Sequence, residues 1–159
     1  MESPVNADNP KLNFRDLGTD ALDYWKQLFQ KKSVHGLSKL IDAGMDTSSI
    51  TKLDLSNWKL TEIPPELGRL QALRKLNLSQ NQLTEIPPEL GQLQALRNLD
   101  LSQNQLWDGD IPPEIGQLQA LRNLDLSQNE LTLPIAELGE LSSLTSLDLS
   151  KNDLIVIPA

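Results

Sequence analysis

Residues 96–106 read LRNLDLSQNQL, and almost the same words occur at residues 73–83 (LRKLNLSQNQL) and 121–131 (LRNLDLSQNEL). The apolar pattern extends in both directions at spacings of 23, 23, 25 and 23 residues. Its five starting points are Ile50, Leu73, Leu96, Leu121 and Leu144. A periodicity of this length predicts a stack of similar structural units rather than a series of unrelated elements.

Each unit is expected to combine a short strand with a return segment. In the second unit Leu76 and Leu78 alternate with polar residues, which places both side chains on one side of a strand. Pro87 and Pro88 then prevent the strand from continuing, and the following ELGQL suits a short helical or irregular return. Repetition of this unit generates a coil whose strands form a parallel sheet and whose leucines are covered by the neighbouring units.

The pattern LxxLxLxxNxL over residues 50–157 resembles that of the leucine-rich repeat proteins. The second half, IPPELGQLQAL, looks most like the short class of bacteria and of the Ras-group repeat proteins, whereas GDIPPEIG is similar to plant receptor repeats. The resemblance implies an α/β fold, a right-handed solenoid with its parallel sheet on the concave face. It also implies a ladder of inward-facing asparagines formed by Asn81, Asn104, Asn129 and Asn152. Trp58 replaces the first asparagine, which predicts a transitional first coil.

We predict three regions: a disordered segment at 1–12, a helical N-terminal cap at 13–49, and five repeat units at 50–159, the last truncated. The cap sequence carries apolar residues at helical spacing and either covers the first coil or forms a module with its own partner. No polar closing helix follows the fifth unit. Three alternatives remain for this end: a longer array, self-association through the edge strand, or fraying.

Charge and composition restrict the partners. The chain of 159 residues has a net charge of −8, and residues 50–159 contain eight Lys/Arg against fifteen Asp/Glu. Nucleic acids and anionic membranes are therefore disfavoured, and a protein partner with a basic or neutral surface is favoured. The chain has no cysteine, and its first residues do not resemble a secretion signal. We expect a cytoplasmic protein, with delivery into a host cell by a signal-independent route left open.

Catalysis is not expected. The sequence has one histidine, His35, and no cysteine, so Cys-His catalysis is excluded and a Ser-His triad is disfavoured. It contains neither a glycine-rich phosphate loop nor clustered histidines, and we expect no cofactor and no metal. A column of glutamates follows the proline pairs or their equivalent, where each carboxylate suits the start of a helical turn. The column consists of Glu66, Glu89, Glu114 and Glu137.

The candidate partner-binding residues lie between the leucines of the strands and are expected on the concave face. They are Lys52, Asp54, Lys75, Asn77, Asn98, Asp100, Asn123, Asp125 and Asp148. The aspartate column is either a solvated strand surface or a docking strip for a basic or hydrogen-bonding partner. The two-residue insertion after Leu106 adds Trp107, Asp108 and Asp110 at the rim. There Trp107 either anchors a partner or packs onto its own coil.

These observations favour a non-catalytic protein-interaction module, such as an adaptor, regulator or effector, that binds its partner on the concave face or the rim. The alternative is a structural element that self-assembles, for example as a homodimer, through its uncapped C-terminal edge.

Overall fold

The computed structural model of the chain describes residues 47–48, 50–133 and 135–155. The predicted disordered segment at 1–12, nearly all of the predicted helical cap at 13–49, and His35 lie outside these residues. Residues 156–159 of the last predicted unit also lie outside them.

Five parallel strands form one sheet in chain order, and each strand has three residues. They are β1 (Lys52–Asp54), β2 (Lys75–Asn77), β3 (Asn98–Asp100), β4 (Asn123–Asp125) and β5 (Ser146–Asp148). Equivalent residues of successive units are paired, so that Leu53, Leu76 and Leu99 stand in one row. The two extra residues between the third and fourth units leave this register unchanged. The predicted solenoid with a parallel sheet is confirmed.

The returns are short 3-10 turns. They comprise Pro65–Arg69, Pro88–Gln92, Pro113–Gln117 and Ala136–Glu140, and the insertion adds Asp108–Asp110. The second proline of each pair stands at the first helical position, where its missing N–H costs nothing. The glutamate that follows lies in the first turn, as the sequence predicted.

Leucines and isoleucines fill the interior of the coil. In the middle of the sheet Leu76, Leu99 and Leu124 are each 2% exposed, because each is covered by the coils before and after it. The equivalent Leu147 in β5 is 41% exposed. Burial of the core therefore depends on a neighbour on both sides.

The predicted asparagine ladder is confirmed. Asn104 donates from Nδ2 to the carbonyl of Leu101 in its own coil and to that of Leu78 in the preceding coil, both at 3.0 Å. Its Oδ1 accepts the backbone N–H of Leu83. Asn81, Asn129 and Asn152 repeat these contacts. One side chain therefore satisfies the bend of two successive coils, which buried backbone groups require.

A second, unpredicted ladder made by glutamines joins the return segments. Gln94 donates from Nε2 to the carbonyl of Gly91 in its own coil and to that of Gln117 in the next. Gln71 and Gln119 make the equivalent bonds. The glycine is required as well, because a Cβ on Gly91 would lie 2.4 Å from the carbonyl oxygen of Glu114.

The last described coil leaves one sheet edge unpaired within the described residues. Leu126 and Gln128 donate their N–H groups to the carbonyls of Asp148 and Ser150. The equivalent N–H groups of Leu149 and Lys151 have no acceptor in the described part of the chain. All three residues of β5 are exposed.

Candidate protein-binding face

The concave side of the sheet forms an open groove of about 560 Å³ that runs across all five strands. Nine of the twelve residues predicted for partner binding line it. They are Lys52, Asp54, Lys75, Asn77, Asn98, Asp100, Asn123, Asp125 and Asp148. The alternation that buries Leu76 turns Lys75 and Asn77 outward, so the strand period alone places these side chains on one face.

Charge is distributed unevenly along the groove. The row at the start of the strands changes from Lys52 and Lys75 in the first two coils to Asn98, Asn123 and Ser146 in the last three. The row at the strand ends holds Asp54, then Asn77, then Asp100, Asp125 and Asp148. The lining is therefore basic on balance in the first two coils and purely acidic in the last three.

Each aspartate of the column also has a local structural role. Asp100 accepts the backbone N–H of Ser102 at 2.9 Å and the hydroxyl of Ser102 at 2.7 Å, both through Oδ1. Asp54, Asp125 and Asp148 accept the equivalent backbone N–H. The side-chain and backbone hydrogen bonds from Ser150, aided by the charge of Lys151, lower the pKa of Asp148. These interactions favour the ionised form of Asp148, and the hydrogen bonds from the following serines orient the carboxylates of the column.

The insertion lies outside the groove. Trp107 is 59% exposed, so more than half of its surface faces solvent, and the edge of its indole approaches Gly109 of the same turn. Asp110 accepts the backbone N–H of Trp107 and thereby closes the Asp108–Asp110 turn. Asp108 accepts the backbone N–H groups of Thr132 and Leu133 in the next coil, and the Thr132 hydroxyl donates to its second oxygen.

Asp108 and Asp110 therefore stabilise the turn and its contact with the next coil, a role that the sequence did not reveal. Partial burial of Asp108 opposes ionisation, but the three hydrogen bonds outweigh it and lower the pKa of this residue. Trp107 remains the exposed aromatic side chain of the insertion.

Two other kinds of feature are absent from the described residues, a metal-ligand group and a membrane-spanning helix. They contain no group of three or more His, Asp or Glu side chains that could hold a metal ion. Within the same ranges no helix is long and apolar enough to cross a bilayer.

The family follows from the fold and from comparison with known proteins. A family model described as a leucine-rich repeat region matches residues 48–155. The chain therefore belongs to the leucine-rich repeat proteins, which typically serve as protein-interaction modules. A comparison with curated proteins finds no significant match.

Solved structures with the same fold come from bacteria and plants. A leucine-rich repeat protein of Leptospira interrogans is 34% identical with a TM-score of 0.58; the match covers 77% of this chain and 36% of that one. An internalin of Listeria monocytogenes (inlF) is 33% identical with a TM-score of 0.59, covering 72% and 31%.

The ectodomain of the Arabidopsis thaliana receptor kinase GASSHO1/SCHENGEN3, solved in complex with Casparian strip integrity factor 2, is 36% identical with a TM-score of 0.61. That match covers 74% of this chain and 13% of the receptor chain. The chain thus spans about a third of the length of the two bacterial proteins and less of the receptor.

Proposed function

We propose that this chain is a non-catalytic module that binds a protein partner in its concave groove. The observation that carries the proposal is the groove itself, which has a volume of about 560 Å³, crosses all five strands and is lined by their outward-facing polar side chains. Side chains on strands are more precisely placed than side chains on loops, which suits recognition. The receptor kinase solved with Casparian strip integrity factor 2 offers a protein-ligand precedent in the same family.

Site-specific photo-crosslinking tests this proposal in the native organism. A photoreactive amino acid replaces Asn98 or Asn123 in the groove, or Gln92 or Gln117 on the exposed return segments as matched controls. We expect one partner to crosslink from the groove positions and not from the controls. A partner that crosslinks from the return segments alone would contradict the concave face as the docking surface.

The same proposal includes a role as an adaptor, regulator or effector in the cytoplasm. Cell fractionation of the native organism, followed by detection with an antibody to the chain, tests this part separately. Recovery from the cytoplasmic fraction is expected, and recovery from the cell envelope alone would contradict it.

Self-assembly through the edge of β5 is the second candidate function, and it is favoured by the N–H groups of Leu149 and Lys151, which have no acceptor among the described residues. In the same last described coil Ile155 is 78% exposed and Leu147 is 41% exposed. Unpaired edges with apolar neighbours are templates for a further strand. Light scattering after size exclusion is expected to show a dimer that Leu147→Lys dissociates, while Leu133→Lys at another exposed leucine leaves it intact. A monomer at high concentration would exclude this function.

A further inference from the structure

The groove carries more negative charge than its local structure requires. Asn77 occupies the same row as the aspartates, and its Oδ1 accepts the backbone N–H and the hydroxyl of Ser79 at 3.0 and 2.7 Å. Asp100 makes the same two bonds to Ser102. A neutral amide therefore closes the turn as completely as a carboxylate does.

The surplus charge is also unfavourable within the free protein. Asp100 pairs in register with Asp125, and Asp125 with Asp148, on adjacent strands. Adjacent parallel strands lie about 4.8 Å apart, and like charges at directly neighbouring positions repel one another. Among the described residues no cation lines the groove beside these three carboxylates, although the charge of Lys151, outside the lining, acts on Asp148. In Asp100 and Asp125 the second carboxylate oxygen accepts no hydrogen bond from the described residues and can accept one from a partner.

The opposite end of the groove has the opposite charge. Lys52 and Lys75 are paired on adjacent strands and both are exposed. Neither lysine side chain donates a hydrogen bond within the described residues. Arg74, Arg97 and Arg122 precede the strands and are exposed, but they do not line the groove. The lining alone therefore runs from basic to acidic along the solenoid axis.

We infer that the groove receives an extended segment of the protein partner, lying across the strands, with basic residues over Asp100, Asp125 and Asp148 and an acidic group over Lys52 and Lys75. Four strand spacings from β1 to β5 give about 19 Å, which about six extended residues span. Charge complementarity fixes the register and orientation of such a segment. This inference rests on the proposed function and specifies the chemistry of its partner.

Selection from a phage-displayed library of random peptides on the full chain tests the inference. We expect enriched peptides to carry a basic and an acidic cluster separated by a short neutral spacer. Synthetic versions are then measured by fluorescence anisotropy. A peptide of identical composition with interleaved charges is expected to bind about tenfold more weakly, and binding should weaken with added salt.

Paired variants locate each cluster on the protein. Asp125→Asn with Asp148→Asn, and separately Lys52→Gln with Lys75→Gln, are each expected to weaken binding about three- to tenfold. Exposed residues outside the groove provide the matched controls Asp153→Asn and Lys59→Gln, which should leave affinity unchanged. Replacing the peptide's basic cluster with serines should weaken binding much less in the aspartate variant, which keeps only Asp100 of the three carboxylates, but the full penalty should persist in the lysine variant.

The outcomes separate this inference from the proposed function. If the enriched peptides lose affinity in the groove variants but show no separation of basic and acidic clusters, the inference is overturned and the concave-face function still stands. Peptides indifferent to every groove variant count against both. Failure to enrich any groove-dependent peptide also overturns the inference, while the crosslinking experiment still decides the function.

Discussion

Asn104 holds Leu78 of the preceding coil through a 3.0 Å hydrogen bond from its amide to the leucine carbonyl. Asn104 is only 8% exposed, so this hydrogen bond is made in the protein interior and is shielded from solvent. Successive coils are therefore joined by buried hydrogen bonds of the asparagine ladder as well as by the contacts between their leucines.

Asn104→Ala is expected to destabilise the fold by about 3 kcal/mol, because it leaves buried carbonyls and the N–H of Leu83 without a partner. Urea unfolding followed by circular dichroism measures this loss. Asn123→Ala, at an exposed position in the groove, serves as the control and should stay within about 0.5 kcal/mol of the unsubstituted protein. Equal effects of the two substitutions would refute the ladder's energetic role.

Gly91→Ala is expected to destabilise by about 2 kcal/mol, because the added Cβ would lie 2.4 Å from the backbone oxygen of Glu114 and force the coils apart. Gly139 occupies the equivalent place in the fourth return, where a Cβ meets nothing within 4 Å in the described part of the chain. Gly139→Ala should therefore be neutral or stabilise by about 0.5 kcal/mol. Thermal unfolding of the two variants compares the effect of the same Gly→Ala substitution on stability at a crowded and at an open position. A harmless Gly91→Ala would mean that the stacking tolerates wider spacing.

Gln103 adopts a φ of 55°, in the left-handed region, and its N–H donates to the carbonyl of Ser127 in the next coil. We expect Gln103→Gly to stabilise by about 0.5 kcal/mol and Gln103→Val to destabilise by about 1–2 kcal/mol, since branched residues tolerate this conformation poorly. Denaturant titration checks both. The exposed Gln105 lies outside the left-handed set, so Gln105→Val should have a much smaller effect.

Asp108 gives the fold a dependence on acidity. Its pKa is lowered in the folded state, so ionised Asp108 stabilises the protein fully above its unfolded pKa of about 4, and this contribution disappears as the pH falls through the lower folded value. Asp108→Asn should therefore be less stable than the unsubstituted protein at pH 7, and the gap should shrink below about pH 4. Unfolding measured across pH 2–7, the range set by these pKa values, tests this. Gln105→Ala, at an exposed position without a titratable side chain, should show a difference that does not change over this pH range.

Asp125→Asn separates the structural and the binding roles of the aspartate column. An amide preserves the acceptor for Ser127, as Asn77 does for Ser79, so the free energy of unfolding should change by less than about 0.5 kcal/mol. Binding of the protein partner identified by crosslinking should nevertheless weaken, measured by titration calorimetry. A variant that binds normally would mean that the carboxylate is only a solvated strand residue.

The repeat register made the core and the groove predictable. Leucines at fixed places define which strand residues are buried, and strict alternation then assigns Lys75, Asp100 and Asp125 to the opposite face. The asparagine ladder was predictable for the same reason, because one amide can both donate to and accept from the bend beside it.

Other features depend on contacts between coils that the repeat pattern does not specify. From the sequence alone Gln94 is predicted to be an ordinary surface residue. In the structure its Nε2 lies 3.1 Å from the carbonyl oxygen of Gln117 in the next coil. Asp108 looked like part of an acidic rim, yet its partners Thr132 and Leu133 are 24 and 25 residues away. The sequence Leu-Gln-Ala-Leu recurs unchanged at 70–73, 93–96 and 118–121, and this repetition was the available signal for the glutamine ladder.

Asn77 among the aspartates has a wider consequence. A position that accepts either an amide or a carboxylate without altering the architecture can gain or lose a negative charge through a single substitution. Substitutions at such positions can therefore alter which ligand the groove binds without altering the fold. Because each coil contributes its own position to the row, the charge of the groove can change one coil at a time.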